Sequence, residues 1–263
     1  MSDEIVAEAK HGCLTVTLNR PEALNALTES LRGNFLKSLH EADRDPGVRC
    51  VVMRGAGRAF SVGQDLKELE EYYAAHGPVL GQLVEDEYIP IVKTLRSLSK
   101  PTVAVIEGPA VGGGMALALA ADFRVISSRA RLVPGFVNVG LAPDTGTAFL
   151  LGRSVGYARA LSLCLTGQSI DAPDMVAWGL ADTVHESSEL LEAALTALTD
   201  KLKRGPTRAY GAIRKLMDNA AHLPLGEVLR LERDVQDDLA RTRDHRNAVQ
   251  AFLAKSTPEF HGE

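Results

Sequence analysis

Apolar positions along the chain change their period several times, and those changes mark out its elements. Ile5–Ala9 and Leu14–Leu18 alternate apolar with polar or small residues, and Lys10–His11–Gly12 between them predicts a hairpin. Leu31, Phe35, Leu36 and Leu39 then recur at helical spacing, with Thr28 placed to cap the helix start. Pro46–Gly47 ends that unit, Cys50–Met53 reads as a short buried strand, and a glycine-bearing loop runs from Gly55 to Gly63. Residues 66–98 are helical in pattern, broken around Gly77–Pro78. Thr102–Ile106 predicts a strand, and Gly108 turns it into a helix from about Gly113 to Ala121. Strands are expected at Asp122–Ile126 and Arg131–Val133, helices at Thr145–Leu151, Gly156–Leu165 and Asp171–Trp178, and a last strand at Leu180–Val184. From Ser187 onward only helical spacing remains, the first such helix ending at Gly205–Pro206. Alternating strands and helices followed by helices alone predict an α/β core with a helical C-terminal part.

Composition narrows the function classes. The 263 residues are 45% hydrophobic and 24% charged, ordinary for a globular chain, and the length allows one large domain or one domain with a helical appendage. A net charge of −5 gives no footprint for nucleic acid. Cys13, Cys50 and Cys164 are widely spaced without a CxxC pair, so neither a disulfide framework nor a zinc site is expected, and a reducing, cytoplasmic setting fits. The histidines form no HxxxH or HExxH pattern, so no metal is expected. MSDEIVAEAK is acidic and lacks the apolar run of a secretory signal. The most apolar stretch, Val103 to Ala121, is interrupted by Glu107, Gly108, Pro109 and a glycine triplet, so it is not expected to span a membrane.

Two glycine-bearing segments carry the candidate chemistry. In Ala59-Phe60-Ser61-Val62-Gly63-Gln64-Asp65-Leu66, a glycine before a polar pair and a helix start leaves backbone N–H groups free for a ligand. The plainer reading is a turn with Asp65 as helix cap. In Glu107-Gly108-Pro109-Ala110-Val111-Gly112-Gly113-Gly114-Met115, glycines at a strand-to-helix junction expose amide donors at the positive end of a helix dipole. A phosphate loop would need a following Lys-Ser or Lys-Thr, which is missing, and close helix–strand packing is the plainer alternative.

Taken together, F-S-x-G-x-D-L and, about fifty residues later, G-x-x-x-G-G-G resemble the oxyanion-hole segments of the crotonase (enoyl-CoA hydratase/isomerase) superfamily. Leu18–Leu27, Lys100–Ala104, Ala121–Arg124, Gly140–Pro143 and Ala251–Lys255 match that family in order and spacing. The resemblance implies a crotonase spiral, the ClpP-like stack of ββα units, over residues 1–195, with a helical trimerisation region over 196–263. It also implies a homotrimer or a dimer of trimers. Through it the N–H groups of Gln64 and Gly113 become the donors that hold a thioester oxygen. Ala23, Leu24, Ser61, Gln64, Asp65, Leu66, Lys67, Gly112, Gly113 and Phe136 become candidates for lining the CoA and acyl groove. Lys255 would approach the CoA of a neighbouring subunit. No cofactor is implied, since CoA is part of the substrate.

One departure selects among the family's reactions. Its hydratases carry two glutamates, at positions that are Ala116 and Phe136 here. Neither can transfer a proton, so the usual water addition is not expected. One carboxylate remains in a suitable place, Asp144 in Gly140-Leu141-Ala142-Pro143-Asp144-Thr145-Gly146-Thr147. Locally it reads as a helix N-cap. The segment also resembles the loop that carries the acid/base or nucleophilic aspartate of ring-1,2-epoxyphenylacetyl-CoA isomerases and 4-chlorobenzoyl-CoA dehalogenases. The C-terminal run Leu231-Glu232-Arg233-Asp234 … Pro258-Glu259-Phe260 favours the isomerases. The dehalogenases need a tryptophan near Phe136 and a histidine before Lys100, and neither is present. The expected function is therefore acyl-CoA isomerisation with Asp144 as base. A hydratase, a hydrolase or dehalogenase using Asp144, and a CoA-binding protein without turnover are the alternatives. Asp65 and Asp122 are expected to be structural, Trp178 to lie in the core and His76 on the surface, while the side to which Glu107 points is open.

Overall fold

The computed structural model describes residues 4–263. The hairpin forms as β1 (Ile5–Lys10) and β2 (Cys13–Leu18), antiparallel from Ile5 opposite Leu18 to Lys10 opposite Cys13. A 3-10 turn at Pro21–Ala23 leads to α1 (Glu29–Arg44), capped by Thr28, whose hydroxyl accepts from the Leu31 N–H at 3.1 Å. β3 (Cys50–Gly55) follows. The helical stretch expected at 66–98 is α2 (Leu66–His76), α3 (Leu80–Leu83), a π-helical turn at Val84–Tyr88, and α4 (Ile89–Ser97). Next come β4 (Thr102–Ile106), β5 (Pro109–Val111), α5 (Gly113–Ala120), β6 (Phe123–Ser127) and β7 (Arg131–Val133). A 3-10 turn, Phe136–Val139, precedes α6 (Thr147–Val155), α7 (Tyr157–Thr166), β8 (Ile170–Asp171), α8 (Ala172–Ala177) and β9 (Val184–His185). The chain closes with α9 (Ser188–Lys203), α10 (Thr207–Ala220), α11 (Leu225–Ala240) and α12 (Arg243–Leu253).

The main sheet runs in the order β1-β2-β3-β4-β6-β9, parallel except for the first pair, and a small second sheet pairs β5-β7-β8. β4 is buried along its whole length and β3 over Cys50–Met53, which is why both read as continuous apolar runs. Their alternate residues serve two layers. Val51, Met53, Ala104 and Ile106 pack with α1, α4 and α5 in the larger core, whereas Cys50, Val52, Val103 and Val105 face Leu191, Leu195 and Leu202 of α9. α5 is buried at every residue, so no amphipathic stripe marks it.

Several expectations need correcting. The expected boundary at residue 195 falls inside α9, whose apolar face covers the main sheet, and Tyr210 of α10 packs on the same cluster. β5 and β8 were not foreseen, because elements of three and two residues show no period. The strand expected at Leu180–Val184 is Val184–His185; Leu180 closes the turn after α8, its N–H donating to the Met175 carbonyl at 2.7 Å. Cys13 and Cys50, far apart in sequence, are register partners on β2 and β3, and all three thiols are free. Among the described residues no helix is long and apolar enough to cross a membrane.

Asp122 is structural, as expected. Its carboxylate accepts from the Thr102 N–H at 2.8 Å and pairs with Arg214 of α10, which also bonds the Leu98 and Lys100 carbonyls. That knot fastens the C-terminal helices to the end of β4.

Candidate functional site

The loop between β3 and α2 is pinned on both sides. Ser61 pairs with β5, its N–H donating to the Pro109 carbonyl at 3.3 Å and its own carbonyl accepting from Val111 N–H at 2.8 Å. Leu27 donates to the Gly63 carbonyl at 2.8 Å and accepts from Asp65 N–H at 3.2 Å, a parallel bridge that turns the Gln64 N–H to the opposite edge. Gly63 has φ of +84°, and a methyl there would sit 2.8 Å from the Val111 carbonyl oxygen and 3.1 Å from the Gly113 nitrogen. Only glycine allows both the turn and this approach. The two glycine-bearing segments are thus in direct contact.

Gly113 opens α5, so its N–H has no partner within the helix. The preceding Gly112 N–H is used, donating to Val133 at 2.9 Å. Among the described residues neither the Gln64 nor the Gly113 N–H donates to a backbone carbonyl, and both residues line one cavity of about 530 Å³. One wall comes from α2, α3 and the π-helical turn, with Leu69, Tyr73, Leu80, Leu83 and Tyr88. The other carries Gly112, Phe136, Val139 and Leu141.

Asp144 is the only carboxylate on this cavity among the described residues, in a mostly apolar lining that also carries Gln64, Asn138, Tyr73 and Tyr88. Burial pushes its carboxyl above the ordinary value, against the pull of the Thr145 hydroxyl, which donates to it at 2.7 Å. Thr145 is buried with φ of +52°, a conformation that costs a β-branched residue roughly 1–3 kcal/mol. The helix expected from Thr145 starts instead at Thr147, and its N-cap is Gly146, with no side-chain cap. Asp144 therefore does not cap α6 through its side chain; only its backbone carbonyl accepts, from Thr147 N–H at 2.8 Å.

Other candidates divide. Leu66 lies exposed at the cavity edge, while Gly112 and Phe136 form part of its wall. Ser61 is fully buried, its hydroxyl donating to the Asn25 carbonyl at 2.7 Å and accepting from Gly63 N–H at 3.1 Å, so it braces the loop from behind and does not line the groove. Asp65 caps α2 through the Lys67 and Glu68 N–H groups and pairs with Arg20 at 2.9 Å. Burial would raise its carboxyl, but Arg20 and those N–H groups hold it below the usual range, and it is not free for substrate. Ala23 and Leu24, half-buried at the 3-10 turn, and the exposed Lys67 and Lys255 lie off the cavity wall. Glu107 faces away, bonded to Arg54 at 2.6 Å. Ala116 is fully buried inside α5. Trp178 is half-buried under the Arg159 guanidinium, 4.4 Å from its ring centre, and His76 is exposed.

Sequence reasoning missed Arg32 and Tyr88. Arg32 is 2% exposed on α1, bonded to Glu68 at 2.9 Å and Glu87 at 2.7 Å, and to the Leu27 carbonyl. Tyr88 donates to the Gln64 side-chain oxygen at 2.7 Å. A lone arginine or tyrosine on a helix with an apolar stripe gives no signal of this kind.

Comparison with known proteins identifies the family. The enoyl-CoA hydratase/isomerase family model matches residues 8–263. The 1,2-epoxyphenylacetyl-CoA isomerase of Escherichia coli (strain K12) is 36% identical over the full length of both chains. The trans-2-decenoyl-[acyl-carrier-protein] isomerase of Streptococcus mutans serotype c is 34% identical, covering 99% of this chain and 98% of that one. The crystal structure of an enoyl-CoA hydratase from Polaromonas sp. JS666 superposes with a TM-score of 0.89 at 30% identity, over 97% of this chain and 99% of that one. The chain belongs to the enoyl-CoA hydratase/isomerase family and has the crotonase fold.

Proposed function

We propose that this protein is an acyl-CoA isomerase in which Asp144 is the single acid/base group and the Gln64 and Gly113 N–H groups hold the enolate oxygen. The observation that carries the reading is that one partly desolvated carboxylate and two residues with unused backbone N–H groups line the same mostly apolar cavity. For a 3-enoyl-CoA, the Asp144 carboxylate removes a proton from C2. The C–H electron pair becomes the C1–C2 double bond and charge settles on the thioester oxygen. When the carbonyl re-forms, the double bond moves to C2–C3 and C4 takes the proton back from Asp144. One donor of this type is typically worth about 2.7–4 kcal/mol in the transition state. For a ring-epoxidised phenylacetyl-CoA, the C–C bond shared by the epoxide and the six-membered ring opens to give the seven-membered oxepin. Asp144 removes a side-chain methylene proton to form the corresponding enolate, and the proton returns to a ring carbon. No cofactor enters either scheme. Purified protein should be assayed against 3-enoyl-CoA, 2-enoyl-CoA and epoxyphenylacetyl-CoA, with products identified by mass and absorbance. Conversion of neither the first nor the third would sink the proposal.

Hydration provides a second check. Ala116 and Phe136 leave no pair of carboxylates to position and activate water, so little 3-hydroxyacyl-CoA is expected from 2-enoyl-CoA. Ala116→Glu alone should not create efficient hydration, because the opposite member of the pair would still be missing. Robust water addition by the unmodified protein would favour the hydratase alternative.

We further infer a trimer or a dimer of trimers. Ile213, Met217, Leu225, Leu229, Phe252 and Leu253 of α10–α12 are all more than half exposed in the single chain. So much apolar helix surface is unusual on a monomer. Sedimentation should give a mass of three or six chains, and Phe252→Asp should shift it downward. A monomeric wild type at micromolar concentration would reject this.

A further inference from the structure

The side chain of Gln64 is held as firmly as its backbone. Its oxygen accepts from the Tyr88 hydroxyl at 2.7 Å and from Arg32 at 3.0 Å, and its amide nitrogen donates to the Asp65 carbonyl at 3.1 Å. Tyr88 is 4% exposed and also lies against the other donor segment: a methyl on Gly113 would meet its ring edge at 3.1 Å. Arg32 stacks on that ring at 5.0 Å and ties it, through Glu87 and Glu68, to both α1 and α2. Tyr88 belongs to a π-helical turn, a geometry that recurs at functional sites.

We propose that Tyr88, fixed by Arg32, is a positioning residue that sets the spacing of the Gln64 and Gly113 N–H groups, by hydroxyl contact with one segment and ring contact with the other. This rests on the reading of those amides as the enolate donors. Burial keeps the phenol protonated well above neutral pH, so its hydrogen bond to Gln64 persists across the working range. The Gln64 side chain thereby has a role although the group that would meet the substrate is its backbone.

The test uses cinnamoyl-CoA, whose absorbance moves to longer wavelength when its thioester carbonyl is polarised by hydrogen bonds. Wild type, Tyr88→Phe, Gln64→Ala, the double variant and Asp144→Asn are compared for red shift, Kd, and kcat and KM on a 3-enoyl-CoA. Tyr88→Phe keeps the ring and is expected to bind cinnamoyl-CoA normally, lose part of the red shift, and lower kcat about tenfold with KM little changed. Gln64→Ala should behave alike. The double variant should be no worse than either single change, because the two residues act through one contact. Asp144→Asn should retain the full shift while losing turnover. A full red shift and normal kcat in Tyr88→Phe would overturn the proposal, as would additive effects in the double variant. Absence of any red shift in wild type would instead reject the enolate-donor reading, and this inference with it.

Discussion

Asp144→Asn is expected to lower isomerase turnover by about two orders of magnitude or more, the usual effect of losing a general base. Asparagine keeps the shape and can still accept from the Thr145 hydroxyl, so the cavity should be preserved. Acyl-CoA affinity should therefore change little. The pH dependence separates a base from a bystander. Burial lifts the Asp144 carboxyl above its ordinary value of 3.8, and only the unprotonated form removes a proton. In wild type the acid limb of kcat/KM should lie above 3.8 and turnover should fall as pH drops through it. The residual activity of the variant should lack that limb. Stability has the opposite sign. A carboxyl whose folded-state pKa is raised favours the folded state at low pH, and that contribution is lost as pH rises through the folded value. Above its folded-state value the charged, partly buried Asp144 is therefore a cost, and there the asparagine variant should melt at the same temperature or higher. Thermal melts at acidic and neutral pH check this directly. Near-normal turnover in the variant would end the proposed mechanism.

Much of the architecture was legible because apolar runs and glycine positions report on backbone demands. Thr28 and the residues Leu31, Phe35 and Leu39 gave α1 and its cap, and the doubly buried β4 announced itself as a β-branched run. The failures have equally local causes. α9 lies over the sheet through Leu191 and Leu195, but amphipathic spacing alone does not say what a helix covers. Thr145 occupies a left-handed conformation that its side chain disfavours, so a helix predicted to start there begins two residues later. That shift also removed the capping reading of Asp144. At the site, a close approach of backbone could be read from Gly63 and the glycine triplet, since only a missing Cβ permits it. The family resemblance implied a groove position for Ser61, yet its hydroxyl is consumed by Asn25 and Gly63. Arg32 and Tyr88 are 56 residues apart and meet only after α1 and the π-helical turn have packed.

The two amides can also be disturbed without touching Asp144. A methyl on Gly114 would sit 2.4 Å from the Ser61 carbonyl oxygen and 2.7 Å from its Cβ. Neither contact can be relieved by rotating a flexible side chain, because Ser61 is fully buried and paired with β5 through its backbone. Gly114→Ala must therefore push the start of α5 away from the loop that carries Gln64. Overpacking of this kind costs roughly 1–3 kcal/mol of stability. Pulling one donor out of line should lower kcat by about 10²–10³, as when an oxyanion donor is removed. Gly33→Ala is the control: it lies on the exposed face of α1 with nothing within 4 Å, and should leave turnover unchanged while stabilising the fold by roughly 0.5–1 kcal/mol. The decisive comparison is with bound cinnamoyl-CoA. Gly114→Ala should lose the red shift together with turnover, whereas Asp144→Asn should lose turnover alone. A Gly114→Ala protein that folds, binds the thioester, and keeps both red shift and kcat would show that the contact between the two segments does not set the geometry of the donors.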